Sequence, residues 1–160
     1  MAPLIKGRKF ISFKQHRLYK YATELFPSEE VLMDCNHKDL RYSATDAPIQ
    51  LDIYIPSLNL AFEYQGEQHY GHHFLYGSSR RQQRRDNEKI EKCDSVGITL
   101  IEIRYWWDGQ KSSLAATIHQ YRSDLLKEQL LGVPIPNASI RAIDMVLKPK
   151  DVFLANIVTL

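Results

Sequence analysis

Two carboxylates set inside alternating segments are the first residues in this chain that could do chemistry. Asp52 lies in Ile49-Gln50-Leu51-Asp52-Ile53-Tyr54-Ile55, where aliphatic residues take every second place. Glu63 lies in Leu60-Ala61-Phe62-Glu63-Tyr64-Gln65, which alternates in the same way. A period of two is the mark of a strand with one buried face. Pro56-Ser57-Leu58-Asn59 supplies a turn between the two segments, so they form a hairpin. With Ser57 and Leu58 as a two-residue loop, Pro56 pairs with Asn59, and counting outward sets Asp52 opposite Glu63. Cross-strand neighbours have Cβ atoms about 4.5–5.5 Å apart. Carboxylates that close repel each other unless positive charge sits between them. A hard divalent cation such as Mg²⁺, which takes one or two carboxylates and keeps several waters, fits that gap. Alternation alone is also what the solvent side of a half-exposed sheet shows, and a one-residue slip at Pro56 would separate the pair.

The hairpin needs neighbours to position it. A helix is predicted over Ser12–Leu25, with Ser12 as N-cap and Pro27 as its stop. Val31-Leu32-Met33 reads as a short first strand, and 34–46 as a polar, turn-like stretch. Gly66–Ser79 reads as a loop rich in Gly, His and Tyr. A charged helix follows over Arg80–Val96, with Ile90 and Cys93 on its apolar side and Gly97 at its C-terminal cap. Ile98–Ile103 is a strand apolar on both faces, which predicts a central position in the sheet. Ser112 or Ser113 opens a last helix carrying Leu114, Ile118, Tyr121, Leu125 and Leu126, closed by Gly132. The order αβββαβ plus a C-terminal helix is an α+β sandwich over residues 1–132. Residues 133–160 form an extension packed on it or the start of a linker, with short elements near 140–147 and 151–158. The apolar ending Asn156–Leu160 reads as a cut in a longer chain.

Length and composition bound the possibilities. The 160 residues are 44% apolar and 25% charged, enough for one globular domain with a true core. No stretch approaches the roughly 18 apolar residues of a membrane span, and the basic N-terminus lacks the apolar run of a secretory signal. Cys35 and Cys93, the only two cysteines, form no CxxC pair. That usage suits a reducing, intracellular compartment.

The net charge of +2 conceals a pattern. Residues 1–23 carry six basic and no acidic residues, 24–68 carry nine acids against two bases, and 69–92 carry six bases against three acids. Two basic segments flanking an acidic one suit a protein that neutralises phosphates locally. Chance clustering on a solvated surface would give the same counts.

Asp52, then Glu63-Tyr64-Gln65-Gly66-Glu67-Gln68-His69-Tyr70, then the helix with Arg85-Asp86-x-x-Lys89 and the strand after Gly97, resembles the PD-(D/E)XK nuclease superfamily. This restriction-endonuclease-like group has a branch of very-short-patch-repair and EDxHD homing endonucleases, to which the similarity is closest. The resemblance covers about residues 12–130. It implies a metal-dependent endonuclease that hydrolyses phosphodiesters in nucleic acid, DNA rather than RNA, with Mg²⁺ or Mn²⁺ as cofactor. Asp52 and Glu63 match the acidic metal ligands, and the Tyr64 carbonyl matches a third. Gln65 stands where many members have lysine, so it can hydrogen-bond a water but brings no charge. Lys89 could project into the site as a migrated lysine, and His69 matches the branch's histidine, which polarises water or contacts the scissile phosphate. Where the branch has a first-helix glutamate, this chain has Gln15.

Arg80, Arg81, Arg84 and Arg85 read as a phosphate-contacting surface beside such a site, with Lys14 and Arg17 touching flanking phosphates. His69, His72 and His73 form an H-x-x-H-H cluster without the paired ligands of a structural zinc site. Trp106 and Trp107 could stack on bases or pack at a strand end. The competing reading is a nuclease-fold module that binds DNA or RNA without cutting it, favoured by Gln65 and Gln15.

Overall fold

A computed structural model describes residues 12–66, 78–127 and 132–137. Helix α1 spans Phe13–Leu25, and the Ser12 hydroxyl caps it by accepting from the Gln15 amide at 3.1 Å. Strands β1 (Leu32–Arg41), β2 (Pro48–Ile55) and β3 (Leu60–Gln65) follow, then helix α2 (Ser78–Ser95), strand β4 (Thr99–Arg104) and helix α3 (Lys111–Tyr121). The four strands make one mixed sheet in the order β1-β2-β3-β4, antiparallel except for the parallel pair β3 and β4. The chain is an α+β domain with the predicted element order.

The hairpin register follows from its turn. Pro56–Leu58 form a 3₁₀ turn, and Asn59 takes the left-handed conformation (φ 48°, ψ 44°) that an Asn side chain tolerates. Ile55 then pairs with Leu60, Tyr54 with Ala61 and Ile53 with Phe62, the alignment that counting from the turn gives, and past this ladder the Asp52 carboxylate meets the β3 backbone at the Tyr64 amide. Gly97, at φ 79°, ends α2: its amide reaches Asp94 O at 2.9 Å, and the Ile98 amide reaches Cys93 O at 2.9 Å.

Alternation divides the sheet into two faces. Ile53, Ile55, Leu60, Phe62, Ile101 and Ile103 pack with Leu18 and Ala22 of α1 and with Leu114, Ala115 and Ile118 of α3. A second core joins Leu40, Ile49, Leu51, Tyr54 and Ala61 with Cys93 of α2 and Ile98, so the first half of β2 departs from the alternation and Ile49 and Leu51 do not share the core of Ile53 and Ile55. The sheet is therefore sandwiched, and Glu63, one residue after Phe62, belongs to the α2 face.

Three expectations need correction. The first strand is not confined to 31–33; it runs ten residues to Arg41 through the polar stretch. Of those ten only Leu40 is buried, and β1 lies at one end of the sheet, where polar and charged residues are tolerated. The strand at 98–103 is not central: β4 ends the sheet among the described residues. Its apolar character comes from helices on both of its faces. The last helix stops at Tyr121 rather than running on through Leu126, because the Arg122 guanidinium folds back to Asp124 at 2.9 Å and to Leu58 O at 2.9 Å. Of the extension, Ile135 is buried in the core and its amide donates to the Thr117 hydroxyl at 2.9 Å. Residues 140–160, where two short elements are predicted, lie outside the described residues.

Candidate functional site

The polar residues of the α2 face converge on Glu63. Its carboxylate accepts from Lys89 Nζ at 2.5 Å, and the same ammonium donates to Gln50 O at 2.5 Å. Lys89 is only 6% exposed. Cys93, four positions on, is buried too, so both side chains point from α2 to the sheet, whereas Ile90, expected beside Cys93, is 38% exposed because it lies off this i, i+4 row. Asp52 Oδ2 accepts from the Tyr64 amide at 2.9 Å, which locks the facing carboxylate onto the strand that carries Glu63.

These contacts leave Glu63 electrostatically divided. Burial pushes its carboxyl up to about 7, and the negative charge of Asp52 adds to the rise, while Lys89 opposes both. A carboxyl that titrates near neutrality on a sheet face is one of the physical marks of a functional site.

Gln65 is buried, and its amide donates to Glu102 Oε1 at 2.5 Å. Glu102 stands beside Glu63 in the parallel ladder and lies 3.7 Å from the Arg104 guanidinium. The sequence reading missed Glu102. The available signal was a single acid inside an otherwise apolar strand, but the parallel register that brings it beside Glu63 is not visible in the sequence.

The other predicted residues divide into three groups. His69, with His72 and His73, lies outside the described residues. Arg80, Arg81, Arg84 and Arg85 are exposed on the first half of α2, about one to two and a half turns before Lys89. Of these, Arg85 lies over the Tyr42 ring, 4.6 Å from its centroid. Lys14 and Arg17 are used differently from the prediction. Lys14 Nζ donates to the carbonyls of Tyr105 and Trp107, and Arg17 lies 4.6 Å over the Phe13 ring. Gln15 is 8% exposed, and its Nε2 finds no hydrogen-bond partner among the described residues. Trp107 is buried and donates to the Ser113 hydroxyl at 3.0 Å, so it serves the core rather than base stacking.

As a metal site the cluster offers carboxylate and carbonyl oxygens, the donors that hard cations take. Among the described residues no three His, Cys, Asp or Glu side chains gather closely enough to cage an ion. Asp52, Glu63 and the Tyr64 carbonyl are oxygen donors, and Lys89 holds one of the Glu63 oxygens.

Comparison with known proteins returns short matches to viral proteins. The chain is 38% identical over 74 residues to uncharacterized protein 094L of Frog virus 3, a match covering 43% of this chain and 48% of that protein. It is 33% identical over 70 residues to uncharacterized protein 033L of Invertebrate iridescent virus 3, covering 41% and 36%. Uncharacterized protein 307L of Invertebrate iridescent virus 6 is 41% identical over 61 residues, covering 36% and 31%. The chain thus spans less than half the length of each of these relatives. No family model matches the chain, and no solved structure matches it significantly.

Proposed function

We propose that this chain is a restriction-endonuclease-like domain that hydrolyses phosphodiester bonds, DNA before RNA, with Mg²⁺ or Mn²⁺ at Asp52 and Glu63. The observation that carries the reading is the triple Asp52, Glu63 and Lys89: a carboxylate held on the Tyr64 amide, a second one on the residue next to Tyr64 in the chain, and a buried ammonium 2.5 Å from the second. A divalent ion held there supplies a water of lowered pKa and neutralises charge that builds up on the phosphate. Asp52 is fixed by the Tyr64 amide, so its second oxygen keeps one orientation. Lys89 provides the positive charge that Gln65 cannot, from the helix rather than the strand. With its ammonium anchored on Gln50 O, it can hold a water or a phosphate oxygen without rearranging. Gln65 acts through Glu102 and braces β3 against β4.

The test is a supercoiled-plasmid nicking assay with Mg²⁺, Mn²⁺ or EDTA, paired with Mn²⁺ binding by electron paramagnetic resonance. The parent should cut with metal and not with EDTA. Asp52→Ala and Glu63→Ala should lose both cutting and Mn²⁺ binding while unfolding cooperatively. Full cleavage by both variants overturns the assignment.

The second reading, a nuclease-fold module that binds nucleic acid without cutting, is favoured by the Gln65 amide being bound to Glu102 rather than replaced by a lysine. It predicts retained DNA binding with no nicking under any metal.

A further inference from the structure

The carboxyl ends of β3 and β4 carry Gln65 and Arg104, and the surface beyond them is built of aromatic rings and guanidinium groups. Phe13 is 72% exposed in the first turn of α1, with Arg17 stacked 4.6 Å over its ring. Lys14 ties this turn to the chain just after β4 through its bonds to the carbonyls of Tyr105 and Trp107. There Tyr105 and Trp106 meet edge to face with centroids 5.1 Å apart, and Arg104 lies 5.5 Å from the Trp106 centroid. The Trp106 indole donates to Pro136 O at 2.7 Å, which fixes the angle of its ring. Beyond Arg104 a groove continues between β4 and the end of α3, where Gln120, Tyr121 and Asn137 line it with Glu102. Tyr121 is 53% exposed.

Exposed rings in the first turn of α1 and at the end of α3, a half-buried ring after β4, and cations and amides near them match the chemistry of unpaired nucleotides. Bases stack on aromatic faces and on guanidinium planes, and amides read base edges. A duplex hides its base faces, so it cannot use these rings. Glu102 in the groove turns phosphates away and leaves that position to a base.

We propose that this edge is a track for single-stranded nucleic acid, leading an unpaired strand from Phe13 past Trp106 to Tyr121. The track lies on the α1 and α3 side of the sheet, away from the α2 face that carries Glu63 and Lys89, so the proposal goes beyond the nuclease reading and does not depend on it. The natural ligand is then one with an unpaired segment rather than continuous duplex.

The test is binding by the full chain in EDTA, which separates it from cleavage. Labelled oligothymidylate, oligouridylate and a duplex of equal length are titrated while tryptophan fluorescence is followed. Trp107 is 1% exposed, so quenching reports Trp106. Single strands should bind at least about tenfold tighter than duplex and quench the fluorescence, and the two oligonucleotides show which sugar is preferred. Phe13→Ala and Tyr121→Ala, both exposed side chains, should each weaken single-strand binding between about fivefold and a hundredfold while leaving duplex binding unchanged. Duplex binding as tight as single-strand binding overturns the proposal, as do two variants that bind like the parent. Single-strand binding without cleavage under any metal leaves the track standing and removes the nuclease reading. Cleavage by a protein that prefers duplex does the reverse.

Discussion

Replacing Lys89 with methionine isolates the electrostatics of the site. The substitution keeps most of the buried stem volume and removes an ammonium that donates to Glu63 and to Gln50 O, each at 2.5 Å. In the parent, Glu63 titrates near 7, above the ordinary value of 4.5, because burial and Asp52 outweigh Lys89. A raised carboxyl is a stability statement. Between pH 4.5 and 7 the folded chain binds more protons here than the unfolded chain, so this contribution is full below 4.5 and lost as pH rises through 7. In Lys89→Met the two lowering influences disappear and the carboxyl moves further up, so the loss continues above pH 7. At pH 6 Glu63 is largely protonated in both proteins, and the difference is the missing bond to Gln50 O, about 1 kcal/mol. Above pH 7 the gap should open by up to about 1.4 kcal/mol for each pH unit. It is bounded by the roughly 3–5 kcal/mol cost of stranding a buried charge. Urea denaturation of both proteins at pH 6, 7, 8 and 9 measures this. A difference that is constant with pH, or larger at pH 6 than at pH 9, refutes the reasoning.

Other consequences are simpler to test. Burial pushes the Cys93 thiol up to about 11, and it is fully covered, whereas Cys35 is partly accessible. Iodoacetamide at pH 8 should therefore label Cys35 first and Cys93 only on unfolding, as read by peptide mass spectrometry. Asn59 holds φ 48° at the hairpin turn, so Asn59→Ala should cost about 1 kcal/mol and Asn59→Gly close to nothing in thermal denaturation. Replacing Arg80, Arg81, Arg84 and Arg85 together with alanine should weaken duplex DNA binding. The slope of log K against log salt should become shallower, by about 0.9 for each phosphate that is no longer neutralised. An unchanged slope would make the run a solvated helix face.

The parts of the fold that could be read from the sequence are those fixed by short-range rules. The hairpin register depends only on a Pro-to-Asn turn and on two alternating segments, and Ile55 does pair with Leu60. The Ser12 cap and the Gly97 stop are equally local. What escaped was decided at a distance. Residues 34–41 look like a turn because their partner, β2, supplies the ladder that makes them a strand. The rank of β4 in the sheet could not be inferred from its apolarity, since helix cover and strand cover bury side chains alike. Of the site, Asp52 near Glu63 follows from counting along the hairpin, whereas Lys89 came only from the resemblance. Glu102 and its bond to Gln65 follow from neither, because a parallel pairing across α2 leaves no periodic trace in either strand.

The site is made possible by its position one residue from the core. Glu63 in its folded environment is disfavoured by about 3 kcal/mol at high pH, the cost of a carboxyl held near 7 rather than 4.5. A slip of one residue would relieve it by turning Glu63 away from α2, but every neighbour would turn too. Ile53, Ile55, Leu60 and Phe62, all fully buried against α1 and α3, would then leave that core for the α2 face, which has a core of its own around Tyr54, Ala61 and Cys93. Losing the burial of only two of them, at about 1.5–3 kcal/mol each, already matches the charge relief. Asp52, Glu63 and Lys89 can therefore be varied singly while the hairpin keeps its register, so the plasmid assay on such variants reads the site rather than the fold.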